Sequence, residues 1–380
     1  MHPSTRVARA PGRAEATFGG LVPPIFPSTT YERDAVGAYP GGHSYSRDQN
    51  PTGEPAEALL NELEGGADAL LFGSGMAAAT ALLDALEPDT HIVAPRHMYW
   101  TIRAWLEAEA AKGAWRLTLV DNTDLAAWNA ALVSGAGAAQ LAWVETPSNP
   151  MGDVIDLAAV AAIAHDHGAV VVADNTTSTP IHTRPIEHGV DIVFHSATKQ
   201  LNGHGDVLAG ALVSNETNEL WERVRHQRGY RGAVLGPFES WLLFRGMKTL
   251  WVRVVRSSAT ALHLASALQG HPALADVLYP GLPDHAGHAV AVRQMEHGFG
   301  MLVSIRVVGG ADAARRALNA LELFADATSL GSTESLVEHR SRVEGVGSPV
   351  PDDLLRLSVG LEDPDDLLAD LLQALDHATG

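Results

Sequence analysis

Short apolar runs alternate with amphipathic segments through the middle of the chain. Between about residues 51 and 235, six such runs each end at polar residues, and helix-like stretches separate them; the runs are ADALLF, THIVAP, WRLTLV, AQLAWVE, GAVVVAD and DIVFH. Strands that alternate with helices predict parallel βαβ units, with helices on both faces of the sheet. The pattern therefore predicts an α/β protein with a mostly parallel central sheet flanked by helices.

The two ends of the chain show different patterns. Residues 1–50 are rich in Pro, Gly, Ser and Tyr and have no clear periodicity, so we expect an extended arm that lies on something else. A long helical stretch begins at PFESWLLFRG and is followed by strand-like MLVSIRVVG and LLRLSVGLE and a C-terminal helix. We therefore predict an arm (1–50), a large domain (51–240) and a smaller C-terminal α/β domain (241–380).

Composition and charge narrow the class of protein. The chain is 46% apolar and 19% charged, enough to bury large cores, and its net charge of −19 disfavours nucleic acid and anionic membranes as partners. It has no cysteine, which excludes disulfides, thiolate metal sites and a cysteine nucleophile. No apolar run approaches a membrane span of about 20 residues, and the N-terminus has no apolar signal region. We expect a cytoplasmic protein without a metal site.

The polar residues that follow the apolar runs are the candidates for chemistry. Ligands bind at the carboxyl ends of the strands in an open parallel sheet. The candidates are accordingly Gly73–Met76, Tyr99, Glu145–Asn149, Asp174–Thr177 and His195–Lys199.

Lys199 stands out among the three lysines of the chain. It follows the run DIVFHSAT, whereas Lys112 and Lys248 lie in ordinary helical surroundings and are expected to be solvated. A lysine amine attacks a carbonyl only when it is partly neutral, which requires desolvation or nearby cations. The end of a buried strand supplies such a place, although a solvated charge is the alternative.

Two further features suit a charged ligand. Asp174 ends a buried run, where a carboxylate is costly unless it pairs with a metal, a ribose hydroxyl or a protonated ring nitrogen, or caps a helix. The segment FGSGMAAATALL places glycines before a helix, an arrangement that suits phosphate. It also matches G-x-G-x-x-A through Gly73, Gly75 and Ala78, which leaves open an NAD-dependent dehydrogenase or a tight turn without a ligand.

The arm supplies a last pair of candidates. Tyr45 and Arg47 are two residues apart, so in an extended chain both point to one face and can clamp a phosphate; a turn in a surface loop is the alternative. An amine for a Schiff base, an acid for a ring nitrogen and an anion cradle are together what pyridoxal 5′-phosphate (PLP) needs.

Seven motifs occur in order along the chain: YSRDQNPT, FGSGMAA, VETPSNP, VVADNTTSTP, HSATKQLNGHGDVLAG, SLGSTESLVEH and LLRLSVGLEDPDDLLADL. They resemble those of the PLP enzymes of Cys/Met metabolism, the cystathionine γ-synthase, γ-lyase, β-lyase and methionine γ-lyase group, and the likeness runs from about residue 20 to 376. The resemblance implies a type I PLP-dependent transferase fold and a homotetramer built from catalytic dimers.

The resemblance also implies roles for individual residues. Lys199 would hold the cofactor as a Schiff base and move protons, Asp174 would pair with the ring nitrogen, and Tyr99 would stack on the ring. The phosphate would be held by Ser74, Gly75, Met76, Ser196 and Thr198, and by Tyr45 and Arg47 from a neighbouring subunit. Asn149, Ser329 and Arg356 would bind the substrate carboxylate, and a planar arginine fork held on a strand suits that role.

The sequence departs from the usual family pattern where the distal substrate pocket forms. YWTIRAWL follows Tyr99, SLGSTES stands for SLGGVES, GHGD stands for GHSD, and EHRSRVEGVGSP brings Arg340 and Glu344. We therefore expect reaction at Cγ of a substrate with a polar distal end, such as cystathionine, an O-acyl-homoserine or canavanine, with Arg340 and Glu344 in the distal pocket. The alternatives are a β-eliminating C–S lyase and a non-catalytic protein with the PLP fold.

Overall fold

The computed structural model describes residues 1–10, 19–134, 140–345 and 347–379. The arm residues 11–18 and the alanine that begins the run AQLAWVE are thus outside the described part. The strands are β1 Asp68–Phe72, β2 His91–Pro95, β3 Arg116–Val120, β4 Gln140–Glu145, β5 Val170–Asp174, β6 Ile192–His195, β7 Gly210–Ser214, β8 Leu274–Leu278, β9 Leu302–Val307, β10 Ala325–Asp326, β11 Leu336–His339 and β12 Leu354–Ser358.

The helices lie between these strands. They are α1 Pro3–Arg9, α2 Glu54–Glu64, α3 Gly75–Leu83, α4 Trp100–Ala111, α5 Leu125–Ser134, α6 Leu157–Asp166, α7 Thr179–His182, α8 Glu219–Arg231, α9 Pro237–Met247, α10 Leu250–Leu268, α11 His288–Gln294, α12 Gly310–Ala320, α13 Arg340–Glu344 and α14 Pro364–Thr379, with a short 3₁₀ helix at Pro185–His188. In the described ranges no helix is both long and apolar enough to cross a membrane.

Local sequence explains several of these boundaries. Ser74 caps α3 by accepting the Ala77 N–H at 3.0 Å, and Asp156 caps α6 by accepting the Ala159 N–H at 3.1 Å. Helix α2 ends at Gly65, whose φ of 75° is the left-handed conformation that glycine adopts at a helix end. The Ser74 cap thus starts α3 directly after β1, and the Gly65 cap ends α2 directly before β1.

The chain divides into two compact units. The first unit comprises Met1–Glu87 and Asp191–Trp251. It contains three strands of the central sheet in the order β1-β7-β6, and β7 is antiparallel to both neighbours. Strand β7 is not among the predicted strands, because its sequence GALVS follows a glycine-rich loop without a helix-like stretch between them.

The second unit comprises Pro88–Val190 and Val252–Gly380. Four parallel strands of the central sheet lie here in the order β5-β4-β2-β3. A second sheet has the order β10-β11-β12-β9-β8, in which only β10 and β11 are parallel. Its apolar face packs with α10, α12 and α14 around a core that includes Leu264, Ile305 and Leu371.

The predicted fold class is confirmed. All six predicted runs form strands β1–β6, and the runs in the C-terminal part form β9, β12 and α14. The mostly parallel central sheet, its flanking helices and a smaller second sheet make this an α/β protein. The predicted domain boundaries near residues 50 and 240 describe functional domains and stay a prediction.

Candidate active site

The first unit contains a cradle of backbone atoms at the start of α3. Gly75 is the first residue of the helix, and a Cβ on it would lie only 3.1 Å from the Cβ and Oγ of Ser196. A Cβ on Gly210 would lie 2.1 Å from the carbonyl oxygen of Ser74. The turn before α3, the turn after β6 and the start of β7 therefore approach one another more closely than side chains would permit.

The cradle suits a phosphate group. The first turn of the nine-residue helix α3 has N–H groups without intrahelical partners, of which Ser74 caps only that of Ala77, and it presents the positive end of the helix dipole with no acidic residue there. Ser196 is brought to the same place by the turn that begins at the end of β6. The structure thus brings together Ser74, Gly75 and Ser196, three of the residues predicted to hold a phosphate, and Met76 lies in the same helical turn.

Lys199 lies in a tightly bonded turn beside this cradle. Its N–H donates to the Ser196 carbonyl at 3.1 Å, and its own carbonyl accepts the Gly203 N–H at 2.8 Å. Thr198 exchanges hydrogen bonds with Ala209: its hydroxyl donates to the Ala209 carbonyl at 3.0 Å and accepts the Ala209 N–H at 2.9 Å. These bonds fix the backbone of the turn, and they therefore fix the position from which the Lys199 side chain extends.

The arm residues Tyr45 and Arg47 also lie together. Tyr45 pairs with Thr30 in an isolated antiparallel bridge, and the Arg47 guanidinium carbon lies 5.3 Å from the centre of the Tyr45 ring. The Tyr45 side chain is 44% exposed. A phenol and a guanidinium presented side by side are two donors for an anion.

The second unit places a carboxylate at the end of β5. Asp174 is buried, and its Oδ1 accepts the Thr176 N–H at 2.9 Å; it is not the N-cap of the next helix, because α7 begins at Thr179 with Ser178 as its N-cap. Its register partner on β4 is Glu145, which is also buried. Burial and the Asp174 charge raise the pKa of Glu145 to about 8, although two N–H groups and Arg340 oppose this shift.

Glu145 organises the residues around it. Its Oε2 accepts the Tyr99 N–H at 2.6 Å, and its Oε1 accepts the Asn149 N–H at 2.8 Å. Tyr99 is the N-cap of α4, and Asn149 lies in the segment with cis peptide bonds before Pro147 and Pro150. Glu145 was foreseen only as a polar residue at a strand end; its bonds to two other candidates could not be read from spacing.

Arg356 is the centre of the second group in this unit. It lies on β12 and is 1% exposed; its Nη2 donates to the Ser329 carbonyl at 2.6 Å, and its Nη1 lies 3.5 Å from Asn149 Oδ1. Burial lowers its pKa to about 10, with the Glu338 charge opposing. Ser329 has a φ of 93°, the left-handed conformation, which turns its carbonyl toward the arginine. The structure thus brings together the three residues predicted to bind a substrate carboxylate.

A network of buried charges continues from Arg356. One oxygen of Glu338, Oε2, lies 3.0 Å from Arg356 Nη2 and 2.8 Å from Arg340 Nη1. Arg340 Nη2 then donates to Glu344 Oε1 at 2.8 Å, and Ser348 donates to Glu344 Oε2 at 2.7 Å. Burial works against the Arg340 charge, but Glu338 and Glu344 outweigh it and raise its pKa.

This network bears on the predicted distal pocket. Arg340 and Glu344 are buried and bonded to each other, so their direct contact with a substrate stays a prediction. Glu338 was not predicted. It lies opposite Arg356 in the register of β11 and β12, and only the strand pairing reveals that position.

These residues fit PLP. The backbone cradle with its close approaches suits the phosphate, a lysine lies in the turn beside it, and Asp174 offers a buried carboxylate for a ring nitrogen. In the described residues no cluster of three or more His, Cys, Asp or Glu could hold a metal ion. The fold and these groups define the class of PLP-dependent enzymes.

The chain belongs to the family of Cys/Met metabolism PLP-dependent enzymes, whose family model matches residues 4–376. It is 42% identical to a cystathionine gamma-synthase of Mycobacterium tuberculosis over 98% of this chain and 96% of that protein. It is 37% identical to a cystathionine beta-lyase of Coxiella burnetii over 98% of both. A crystal structure of cystathionine gamma synthase from Xanthomonas oryzae pv. oryzae in complex with cystathionine superposes with a TM-score of 0.95 at 35% identity, covering 100% of this chain and 99% of that one. The predicted family, enzyme class and PLP cofactor are therefore confirmed.

Proposed function

We propose that the chain catalyses elimination or replacement at Cγ of an amino acid, with cystathionine or an O-acyl-homoserine as substrate. The observation that carries the proposal is the buried Arg356 held beside Asn149 and the Ser329 carbonyl, because a rigid guanidinium is the group that recognises an α-carboxylate. The 42% identity to a cystathionine gamma-synthase over nearly the whole chain supports chemistry at Cγ.

The proposed roles follow from the chemistry of each side chain. When bound, PLP supplies an electron sink for negative charge at the substrate Cα. Lys199 Nζ would bind the cofactor and, once the substrate amine has replaced it, take the Cα proton. Asp174 would accept a hydrogen bond from the ring nitrogen and keep it protonated, and Tyr99 would cover the ring and assist proton transfer.

The residues of the phosphate and carboxylate sites would fix the geometry. The α3 N-terminus with Ser74, Gly75, Met76, Ser196 and Thr198 would hold the phosphate, and Tyr45 and Arg47 would reach it from a neighbouring subunit. Asn149 and Arg356 would orient the substrate so that its Cα proton faces the lysine.

A polar distal end of the substrate is supported by the Arg340 network. Arg340 Nε and Glu338 Oε1 are buried and have no hydrogen-bond partner among the described residues. A donor and an acceptor left in this state are costly unless something pairs with them. A charged or amide-like substrate end would do so, and unchanged substrate selectivity in Arg340→Ala and Glu344→Ala variants would count against these roles.

The experiment is a product assay on the PLP-loaded protein. O-acyl-L-homoserine with L-cysteine should give cystathionine, and L-cystathionine alone should give 2-oxobutyrate with cysteine and ammonia. Lys199→Ala should abolish both reactions. Pyruvate from cystathionine would instead establish β-elimination, the second candidate, which the 37% identity to a cystathionine beta-lyase favours. Turnover of neither substrate would overturn the proposal and turn the search to canavanine.

Assembly and location complete the proposal. A homotetramer of catalytic dimers is supported by the arm, where large apolar side chains are exposed; these are Leu21, Val22, Ile25, Phe26 and Val36. Exposed apolar groups in such number are typical of association surfaces. Light scattering should give four times the chain mass, and a stable monomer would contradict it. The cytoplasmic location stays a prediction.

A further inference from the structure

Arg228 connects three segments of the first unit. It lies in the last turn of α8, and its side chain is 11% exposed. Its Nε donates to the Leu71 carbonyl of β1 at 2.6 Å, its Nη1 to the Asp48 carbonyl of the arm at 3.3 Å, and its Nη2 lies 3.5 Å from Glu57 Oε1 of α2. Each nitrogen of the guanidinium thus faces a different segment.

The contact with Leu71 lies on the open edge of a sheet. Strand β1 ends the strand order and pairs with β7 alone, so its other side needs partners for its backbone. Glu57 Oε1 accepts the Leu71 N–H at 2.9 Å, while Arg228 takes the Leu71 carbonyl. The edge of β1, which leads directly into the phosphate cradle, is therefore fixed by the same ion pair that reaches the arm.

The contact with Asp48 lies on the turn that carries the predicted phosphate clamp. The N–H groups of Asp48 and Gln49 both donate to the Tyr45 carbonyl, at 3.0 and 3.2 Å, and Arg47 lies inside this turn. Next to Arg228, a Cβ on Gly229 would lie 3.3 Å from Asp48 Oδ1, so the turn packs closely on the end of α8.

Other hydrogen bonds of the turn run to a neighbouring arm segment rather than to β1: the Ser46 N–H donates to the Thr29 carbonyl at 3.0 Å, and Asn50 Nδ2 donates to the Phe26 carbonyl at 3.1 Å. A cavity of about 260 Å³ separates part of the arm from β1 and is lined mostly by polar residues, among them Ser46, Asp48, Asn50, Glu57 and Arg228. A polar cavity of this size suits water, which holds neighbouring segments less firmly than packed side chains do. Arg228 lines this cavity and donates to the Asp48 carbonyl of the turn as well as to the Leu71 carbonyl of β1, so it connects the turn directly to the strand.

We infer that Arg228 is a positioning residue that holds the arm turn Tyr45–Asn50 against the edge of β1 and so presents Tyr45 and Arg47 to an anion. The inference rests on the proposed function for the identity of that anion, the cofactor phosphate of a neighbouring subunit. It assigns to Arg228 an effect on the partner's cofactor site rather than on that of its own chain.

Hydrogen exchange on the full-length protein without PLP tests the contact itself. In Arg228→Ala the amides of Ser46, Asp48 and Gln49 should exchange at least about tenfold faster, because a hydrogen bond from a charged group is lost. The control is Arg231→Ala, in the same helical turn but 62% exposed, which should leave these amides unchanged. Unchanged amides in Arg228→Ala, or equal acceleration throughout the chain, would overturn the inference.

A second variant distinguishes loss of the Arg228 contacts from misfolding of the protein. Arg228→Lys keeps the charge but loses the fork, so it should fold and give an intermediate exchange rate at the same three amides. A wild-type rate in Arg228→Lys together with a fast rate in Arg228→Ala would assign the effect to charge alone and overturn the bridging role.

Mixed oligomers test in which subunit Arg228 acts. Subunits with Arg228→Ala should regain activity when paired with Lys199→Ala subunits, which contribute an intact arm. They should stay inactive when paired with Arg47→Ala subunits, because every site then has a defective arm. The reverse pattern would place the effect of Arg228 in its own cradle and overturn the inference.

The proposed function has its own control in this experiment. Lys199→Ala and Arg47→Ala subunits should complement each other if the arm serves a neighbouring site. If they do not, the proposed role of the arm is wrong, whereas the exchange rates still decide whether Arg228 holds the turn.

Discussion

Backbone atoms define the proposed phosphate cradle of the first unit, whereas buried side-chain charges define the proposed carboxylate site of the second. In the cradle, a Cβ on Gly75 would lie 3.1 Å from Ser196 and a Cβ on Gly210 only 2.1 Å from the Ser74 carbonyl. In the carboxylate site, Glu338 Oε2 lies between Arg356 and Arg340 at 3.0 and 2.8 Å. The cradle depends on the absence of side chains at its glycines. The network depends on buried side chains whose opposite charges neutralise one another.

This difference predicts which substitutions each site tolerates and which it does not. A backbone cradle tolerates changes of charge nearby but no added atom, because main-chain atoms cannot move aside. A buried charge network tolerates changes of shape at its rim but not the loss of one partner, since an unpaired buried charge is costly. Four predictions test this contrast, in order of decreasing effect.

Lys199→Ala should abolish turnover while leaving the cradle intact. The amine would be both the covalent attachment and the proton carrier, so we expect a loss of roughly 10⁴-fold or more in kcat/KM. Phosphate and PLP should still bind, since the α3 N-terminus is unchanged. Activity within about tenfold of the wild type would contradict the assignment of Lys199.

Arg340→Ala should destabilise the second unit by about 3–5 kcal/mol, because Glu338 and Glu344 each lose a buried partner. The matched control is Arg315→Ala, which breaks an exposed pair with Asp312 and should cost less than about 1 kcal/mol. Urea unfolding measures both. Equal effects would show that the Arg340 network is no more than a surface ion pair.

Gly210→Ala should destabilise the first unit by about 3 kcal/mol and weaken phosphate binding, because the new Cβ meets the Ser74 carbonyl. Gly41→Ala is the control, since its Cβ would meet nothing nearer than His43 Nδ1 at 3.7 Å. Urea unfolding measures the loss of stability, and titration with inorganic phosphate measures the loss of affinity. If the Gly210→Ala protein is as stable as the Gly41→Ala control, close backbone approach does not define the cradle.

Glu145 should give the smallest effect when stability is compared over one pH unit, because its contribution is a dependence of stability on pH. Its pKa is raised from 4.5 to about 8 in the folded chain, so the folded state binds more protons than the unfolded state between these values. Its contribution to stability is therefore complete below pH 4.5 and is lost as the pH rises to about 8, by up to ~1.4 kcal/mol per pH unit. The difference between wild type and Glu145→Gln in unfolding free energy should follow this slope, whereas a difference independent of pH would place the ionised carboxylate in the folded state.

The same contrast explains what the sequence could predict. The cradle is local in sequence: Ser74 and Gly75 lie in one motif, and Ser196, Thr198 and Lys199 lie in another, so pattern and resemblance together predict it. Gly210 was not named, because its importance arises from contact with Ser74, more than a hundred residues earlier in the chain. The six strands β1–β6 were likewise predicted from their own apolar runs.

The charge network could be predicted only in part. The resemblance predicts Arg356, Asn149 and Ser329 as residues that bind a substrate carboxylate, and a strand suits the rigid fork of Arg356. Glu338 has no local signal, because its role depends on the register that places it opposite Arg356. The resemblance predicts Arg340 and Glu344 in the distal pocket and their charge predicts a polar substrate end, and the structure adds that they are bonded to each other.

The most direct test of the contrast measures cofactor and substrate affinity in one variant of each site. Gly75→Ala should raise the Kd of PLP at least about tenfold, since its Cβ intrudes on Ser196, and leave KM for the amino acid within about twofold once PLP is saturating. Arg356→Lys should do the opposite, with KM raised at least about tenfold and PLP affinity within about twofold of the wild type. If either variant changes the Kd of PLP and the KM for the amino acid by the same factor, the two sites are not independent of each other, which contradicts the contrast.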